Sequence, residues 1–203
     1  MNRLAAWMIV SFLVLSLASA QEKKEQKPPQ GAMDDMMKKM MELASPSEGH
    51  KKLNDLVGVW DAETKMWMGG DGTGQPAISK GSAEYSWVLG GRYLREDFKG
   101  DMMGMPMTGF GFTGYDNYAK KYTGMWMDNM GTALSTMEGT FDRSGKVLTL
   151  YGKMDEWMTG ELSKNVKYVT RIINKDKHVF EIHDLSIGEP NTKIVEITYT
   201  RTK

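Results

Sequence analysis

Trp60-Asp61-Ala62-Glu63-Thr64-Lys65-Met66-Trp67-Met68 alternates: Trp60, Ala62, Thr64, Met66 and Met68 share one face, while Asp61, Glu63, Lys65 and Trp67 take the other. A period of two marks a half-buried strand. Nine further stretches read the same way, at 77–88, 92–99, 107–115, 122–128, 133–141, 146–153, 164–173, 178–185 and 193–202. Between them stand turn formers such as Gly90-Gly91, Asp116-Asn117, Arg143-Ser144-Gly145 and Asn174-Lys175-Asp176-Lys177. No helical period intervenes. Strands joined by such short links make an antiparallel meander, and one of about ten strands removes its exposed edges by closing on itself. The expected fold is all-β, an up-and-down antiparallel barrel. A barrel of about eight to ten strands leaves room inside for one small ligand.

Upstream of the barrel the chain changes character three times. Residues 1–20 carry Arg3, a mostly apolar run at 4–17 and the small-residue site Ala18-Ser19-Ala20, the anatomy of a signal peptide cleaved after Ala20. An exported protein, periplasmic or secreted, with no membrane span after cleavage is the expectation. Residues 21–31 are charged, hold Pro28-Pro29 and read as a flexible tether. In 32–44, Met33, Met36, Met37, Met40 and Met41 fall on one helical stripe, suited to packing on the domain or on a partner. Ser45-Pro46-Ser47-Glu48 then predicts a second helix with Ser45 as N-cap, Pro46 at the first helical position and Leu53, Leu56 and Val57 on its apolar face. The barrel domain is taken as 45–203.

The 203 residues hold 26 Lys plus Arg and 26 Asp plus Glu, so the balanced charge argues against a nucleic-acid partner. Cysteine is absent, which removes disulfides, thiolate metal sites and a cysteine nucleophile together. No G-x-S-x-G, H-E-x-x-H or P-loop occurs, and no catalytic residue or cofactor is assigned. Gly109-Phe110-Gly111-Phe112-Thr113-Gly114 matches dinucleotide spacing, but a turn and another strand follow where a phosphate cradle needs a helix. His178 and His183 differ by an odd number, so on a strand they face opposite ways and only Glu181 and His183 share a face. Mid-strand Glu96, Asp128, Glu138, Arg171, Glu181 and Glu196 read as a wetted outer face or as polar anchors within. Met102-Met103-Gly104-Met105-Pro106-Met107 reads as a loop. Its Met102, Met103, Met105 and Met107 offer soft thioethers suited to Cu(I).

Several motifs resemble a bacterial domain of unknown function, DUF1579. They are Pro46-Ser47-Glu48-Gly49-His50-Lys51-Lys52-Leu53 with Val57-Gly58-Val59-Trp60, then Gly90-Gly91-Arg92-Tyr93-Leu94, Gly114-Tyr115-Asp116, Lys120-Lys121-Tyr122, Trp126-Met127-Asp128 and Glu196-Ile197-Thr198-Tyr199-Thr200-Arg201. The resemblance implies a calycin-like, lipocalin-like barrel and no established activity. Gly58-Val59-Trp60 also looks like the Gly-x-Trp of the first lipocalin strand, which implies that Trp60 closes one barrel end against Arg201. The leading expectation is non-catalytic binding of a small apolar or amphipathic ligand, with Trp87, Trp126, Tyr168 and Arg171 as candidate cavity residues. Tyr168 and Arg171 differ in parity, so at most one faces inward. The alternatives are Cu(I) binding or chaperoning, and an interaction scaffold docking through the Met-rich helix.

Overall fold

All ten strands expected from the alternation form. A computed structural model describes residues 30–68, 74–156, 159–188 and 192–202. The expected leader and most of the expected tether lie outside the described residues. The strands are β1 Gly58–Met66, β2 Ala77–Val88, β3 Tyr93–Met102, β4 Met105–Asp116, β5 Lys121–Asp128, β6 Ser135–Phe141, β7 Val147–Glu156, β8 Glu161–Asn174, β9 Lys177–Asp184 and β10 Lys193–Arg201. Each pairs antiparallel with its sequence neighbours, and β1 also pairs with β10, closing the barrel. The expected meander is the observed fold.

Two local expectations need correction. Ser45 does not cap the second helix, because its hydroxyl donates back to the Met41 carbonyl at 2.7 Å. Ser47 is the cap instead, extended in backbone and accepting from the Gly49 amide, while His50 Nδ1 accepts from the Ser47 amide at 3.0 Å. The helix so capped, α2 Glu48–Lys51, is short and gives way to a 3-10 turn at Asn54–Leu56. The Met102–Met107 segment is not a loop either. Met103 and Gly104 adopt positive φ, 56° and 82°, and make a two-residue turn that carries the ladder out to the Met102–Met105 pair.

The first helix, α1 Gln30–Ala44, buries none of its residues. Met33, Met36, Met37, Met40 and Met41 are all exposed. Among the described residues no helix is long and apolar enough to cross a membrane.

The lower end of the barrel is sealed by a register match. Trp60 pairs with Arg201 across the β1–β10 ladder, and both side chains turn inward. The Trp60 ring is fully buried over Leu53 and Leu56, and its Nε1 donates to the Leu56 carbonyl at 2.8 Å. The Arg201 guanidinium carbon lies over that ring, 4.0 Å from its centroid. The same guanidinium donates to the carbonyls of Val57 at 2.8 Å, Asp55 at 3.1 Å and Lys175 at 2.7 Å. It thus ties the chain entering β1 to the β8–β9 turn. Gly58, at φ 132°, makes room for this, since a Cβ there would collide with the Arg201 side chain.

Replacement of Trp60 by Ala should therefore cost about 3–5 kcal/mol, read as a lowered urea midpoint. A midpoint unchanged from wild type would deny the ring its sealing role.

Candidate ligand-binding site

Register places every second residue of each strand in the lumen. Starting from Trp60, the inward positions run to Ala83 and Tyr85 on β2, to Leu94, Glu96 and Phe98 on β3, and to Gly109 and Gly111 on β4. They continue through Tyr122, Gly124, Trp126 and Asp128 on β5 and Met137 on β6. Leu148, Leu150 and Met154 on β7, Val166 and Tyr168 on β8, His178, Phe180 and Ile182 on β9, and Ile197 and Tyr199 on β10 complete the lining.

These inward residues fall into two groups. Those around the sealed end are buried: Tyr85, Leu94, Tyr122, Leu148, Ile172, His178 and Tyr199. Those toward the other end, Thr64, Met66, Met107, Trp126, Met137, Met154, Phe180, Ile182 and Ile197, are only half-buried. A side chain on the inner face of a closed barrel meets solvent only through the lumen. The lower half is therefore a packed core, and the upper half carries a partly exposed inner wall.

Trp126 is held in this inner wall by a cross-strand absence. Gly111 stands opposite it, and a Cβ at Gly111 would press on the indole ring. The glycines of the 109–114 motif thus admit an aromatic ring, with no phosphate cradle involved. The indole Nε1 donates to Asp128 Oδ2 at 2.7 Å, and Phe98 meets the ring edge-on at 6.5 Å. Tyr168 also points inward, stacked near Phe180 with centroids 6.2 Å apart. Trp87 is inward but lies toward the sealed end, where its Nε1 donates to Asn54 Oδ1 at 2.9 Å. Arg171 does not join them. Its odd position on β8 turns it outward, exposed, where it pairs with Glu181 at 3.1 Å.

Glu181 belongs to a charged ribbon on the outer face, with Lys193, Glu196 and Lys65. Glu138 pairs there with Lys121. Pairs of this kind contribute about 0–1 kcal/mol each. His183 shares the outer face, its Nε2 3.6 Å from Glu181, whereas His178 is inside. His178 stacks on Tyr199 at 4.4 Å and meets the Trp60 ring edge-on at 4.4 Å, with neither ring nitrogen hydrogen-bonded. Burial, aided by the Arg201 charge, pushes its pKa down to about 3, so it stays neutral. Three residues of the methionine-rich hairpin, Met102, Met105 and Met107, take the inward parity at the rim, while Met103 sits at the exposed turn.

The residue that the sequence reading left ambiguous is Glu96. It sits between Leu94 and Phe98 on the inner face of β3, enclosed by the barrel yet with surface still accessible. The Tyr199 hydroxyl donates to its Oε1 at 3.0 Å, and the Tyr85 hydroxyl bonds to the same carboxylate. Burial, outweighing those two donors, pushes its pKa up to about 7. Burial and the adjacent carboxylate hold both tyrosines well above the usual phenol range, so they remain donors.

A carboxyl whose folded pKa is raised holds its proton better in the folded state. That contribution is full below the ordinary value of 4.5 and is lost as pH rises through about 7. Glu96→Gln, which titrates at neither end, should therefore gain stability relative to wild type as pH rises across that window. Urea unfolding at both limits measures it, and a pH-independent difference between the two proteins would contradict the assignment.

A family model described as a protein of unknown function, DUF1579, matches residues 45–201. The crystal structure of Rv2717c from M. tuberculosis is similar in fold, with 14% identity and a TM-score of 0.54, over 78% of this chain and 100% of that one. A redesigned β-barrel aligns at 11% identity and a TM-score of 0.40, over 79% of this chain and 100% of that one. No curated protein matches the sequence. At 14% identity the likeness to Rv2717c speaks for the fold alone. With its matched span covering the capped turn and all ten strands, the chain belongs to the DUF1579 family.

Proposed function

We propose that the protein binds a small apolar or amphipathic molecule in the upper half of its barrel, as a binding protein and not as a catalyst. The observation that carries this reading is the half-exposed inner wall above a sealed floor. Trp126, Met137, Phe180, Ile182 and Ile197 line it without packing one another to burial. Apolar surface left accessible inside a protein gains about 25 cal/mol per Å² when a ligand covers it. Concave, mostly apolar walls with a few placed polar groups are the usual form of a small-molecule site.

Export is part of the same proposal. It rests on Arg3, the apolar run at 4–17 and the small residues before Gln21. Protein recovered from its own cells should carry Gln21 as its first residue by intact mass. A mature chain still beginning at Met1 would refute export.

A second reading draws on the rim. The hairpin register puts the Met102, Met105 and Met107 thioethers on one face, which suits a soft cation such as Cu(I). Replacing those three by Leu keeps apolar volume, and under this reading it abolishes competition with a Cu(I) chelator. The docking alternative rests on the exposed Met stripe of α1.

The barrel reading is tested with N-phenyl-1-naphthylamine, an uncharged probe that fluoresces in apolar surroundings. It should bind the wild type and brighten. Gly124→Leu places a side chain into the lumen against the flexible Met137, and should cut probe binding about tenfold or more. Binding that survives in a folded Gly124→Leu protein would place the probe elsewhere and overturn the reading.

A further inference from the structure

We propose that the lumen takes an amphipath with a protonated amine head, seated on Glu96 between Tyr85 and Tyr199; this rests on the ligand-binding reading above. Three observations converge on that head group.

The first is an anion without a counter-charge. Glu96 is enclosed on the inner face of β3, and among the described residues no Lys or Arg pairs with it. A buried carboxylate is costly unless a cation or several donors compensate it. Two tyrosine hydroxyls supply part of what its two oxygens accept, which leaves acceptor capacity free. Its raised pKa fits a site still short of positive charge.

The second is aromatic surface beside it. Gly111 is the cross-strand partner of Glu96, and the Trp126 ring takes the place that a side chain at Gly111 would occupy. The Trp126 ring lies over Gly111 from the next strand, and Phe98 is the next inward residue on β3. Aromatic faces around a carboxylate attract a cation, with a desolvated ammonium gaining most.

The third is the sign of the remaining lumen charge. Asp128 adds a second inward acid. Lys164 is inward as well but is matched by Asp184, and Arg201 is engaged over Trp60 and three carbonyls at the floor. A fatty-acid head would meet no free cation among the described residues. An ammonium meets Glu96.

Octylamine, octanol and octanoate share a tail and differ only in the head, so calorimetry on the full chain near neutral pH separates the possibilities. Octylamine should bind about tenfold more tightly than octanol, with octanoate weakest. Glu96→Gln should bring octylamine to the level of octanol. The ionisable groups around Glu96 are Tyr85 from β2, Tyr199 from β10 and its neighbour Asp97, with His178 of β9 stacked on Tyr199. The tyrosines stay protonated, so below pH about 7 amine binding should expel a proton from Glu96, seen as a dependence of the heat on buffer ionisation. Octanol should show no such dependence. Equal affinities for the three, tighter octanoate, or an amine preference that survives Glu96→Gln would each overturn the amine assignment while leaving the barrel reading intact. No binding of any of the three would overturn both.

Discussion

The contact between the Trp60 ring and the Arg201 guanidinium decides what the rest of the chain can be. It joins the first strand to the last, at the one seam that no turn enforces. A ten-stranded sheet without that seam would expose two edges, each a row of unpaired backbone groups. The guanidinium suits the task because its planar fork donates to three carbonyls while its face lies on the indole. A lysine would supply one point charge and could not span the same set.

Closure at one end explains the contrast within the lumen. Near the seal, large rings interlock: Trp60, His178, Tyr199 and Tyr85 meet edge to face or stacked. Farther up, glycines such as Gly111, Gly124 and Gly152 take inner positions, and the side chains of Trp126, Met137 and Tyr168 close over them. The same strands thus form a packed core at one end and a partly exposed inner wall at the other. Glu96 lies where these regimes meet, which is why a carboxylate is both enclosed and reachable.

Much of this was legible in the sequence because a strand's period is two. Parity placed His178 and His183 on opposite sides, and the ten alternating runs located every strand. The Trp60–Arg201 contact was implied by the resemblance of Gly58-Val59-Trp60 to the first lipocalin strand. Parity cannot say which side is inside when both carry mixed residues, so Glu96 and Arg171 looked alike; yet Leu94 and Phe98 flanking Glu96 were the available signal. The capping residue was misplaced because Ser45 and Ser47 have the same chemistry, and only the return bond from Ser45 to Met41 separates them. The Met103-Gly104 turn hid because methionine seldom adopts positive φ.

The seam between β1 and β10 also orders events in time. Every other strand finds a partner within a hairpin of its own position, but β1 must wait for residues at 195–201 before its second ladder forms. A chain emerging from its N-terminus therefore carries a half-paired first strand throughout its synthesis, and such long-range pairings are the slow ones. That strand is protected while it waits. Asp61, Glu63 and Lys65 alternate along it, and charges of both signs on an open edge discourage pairing with the wrong chain.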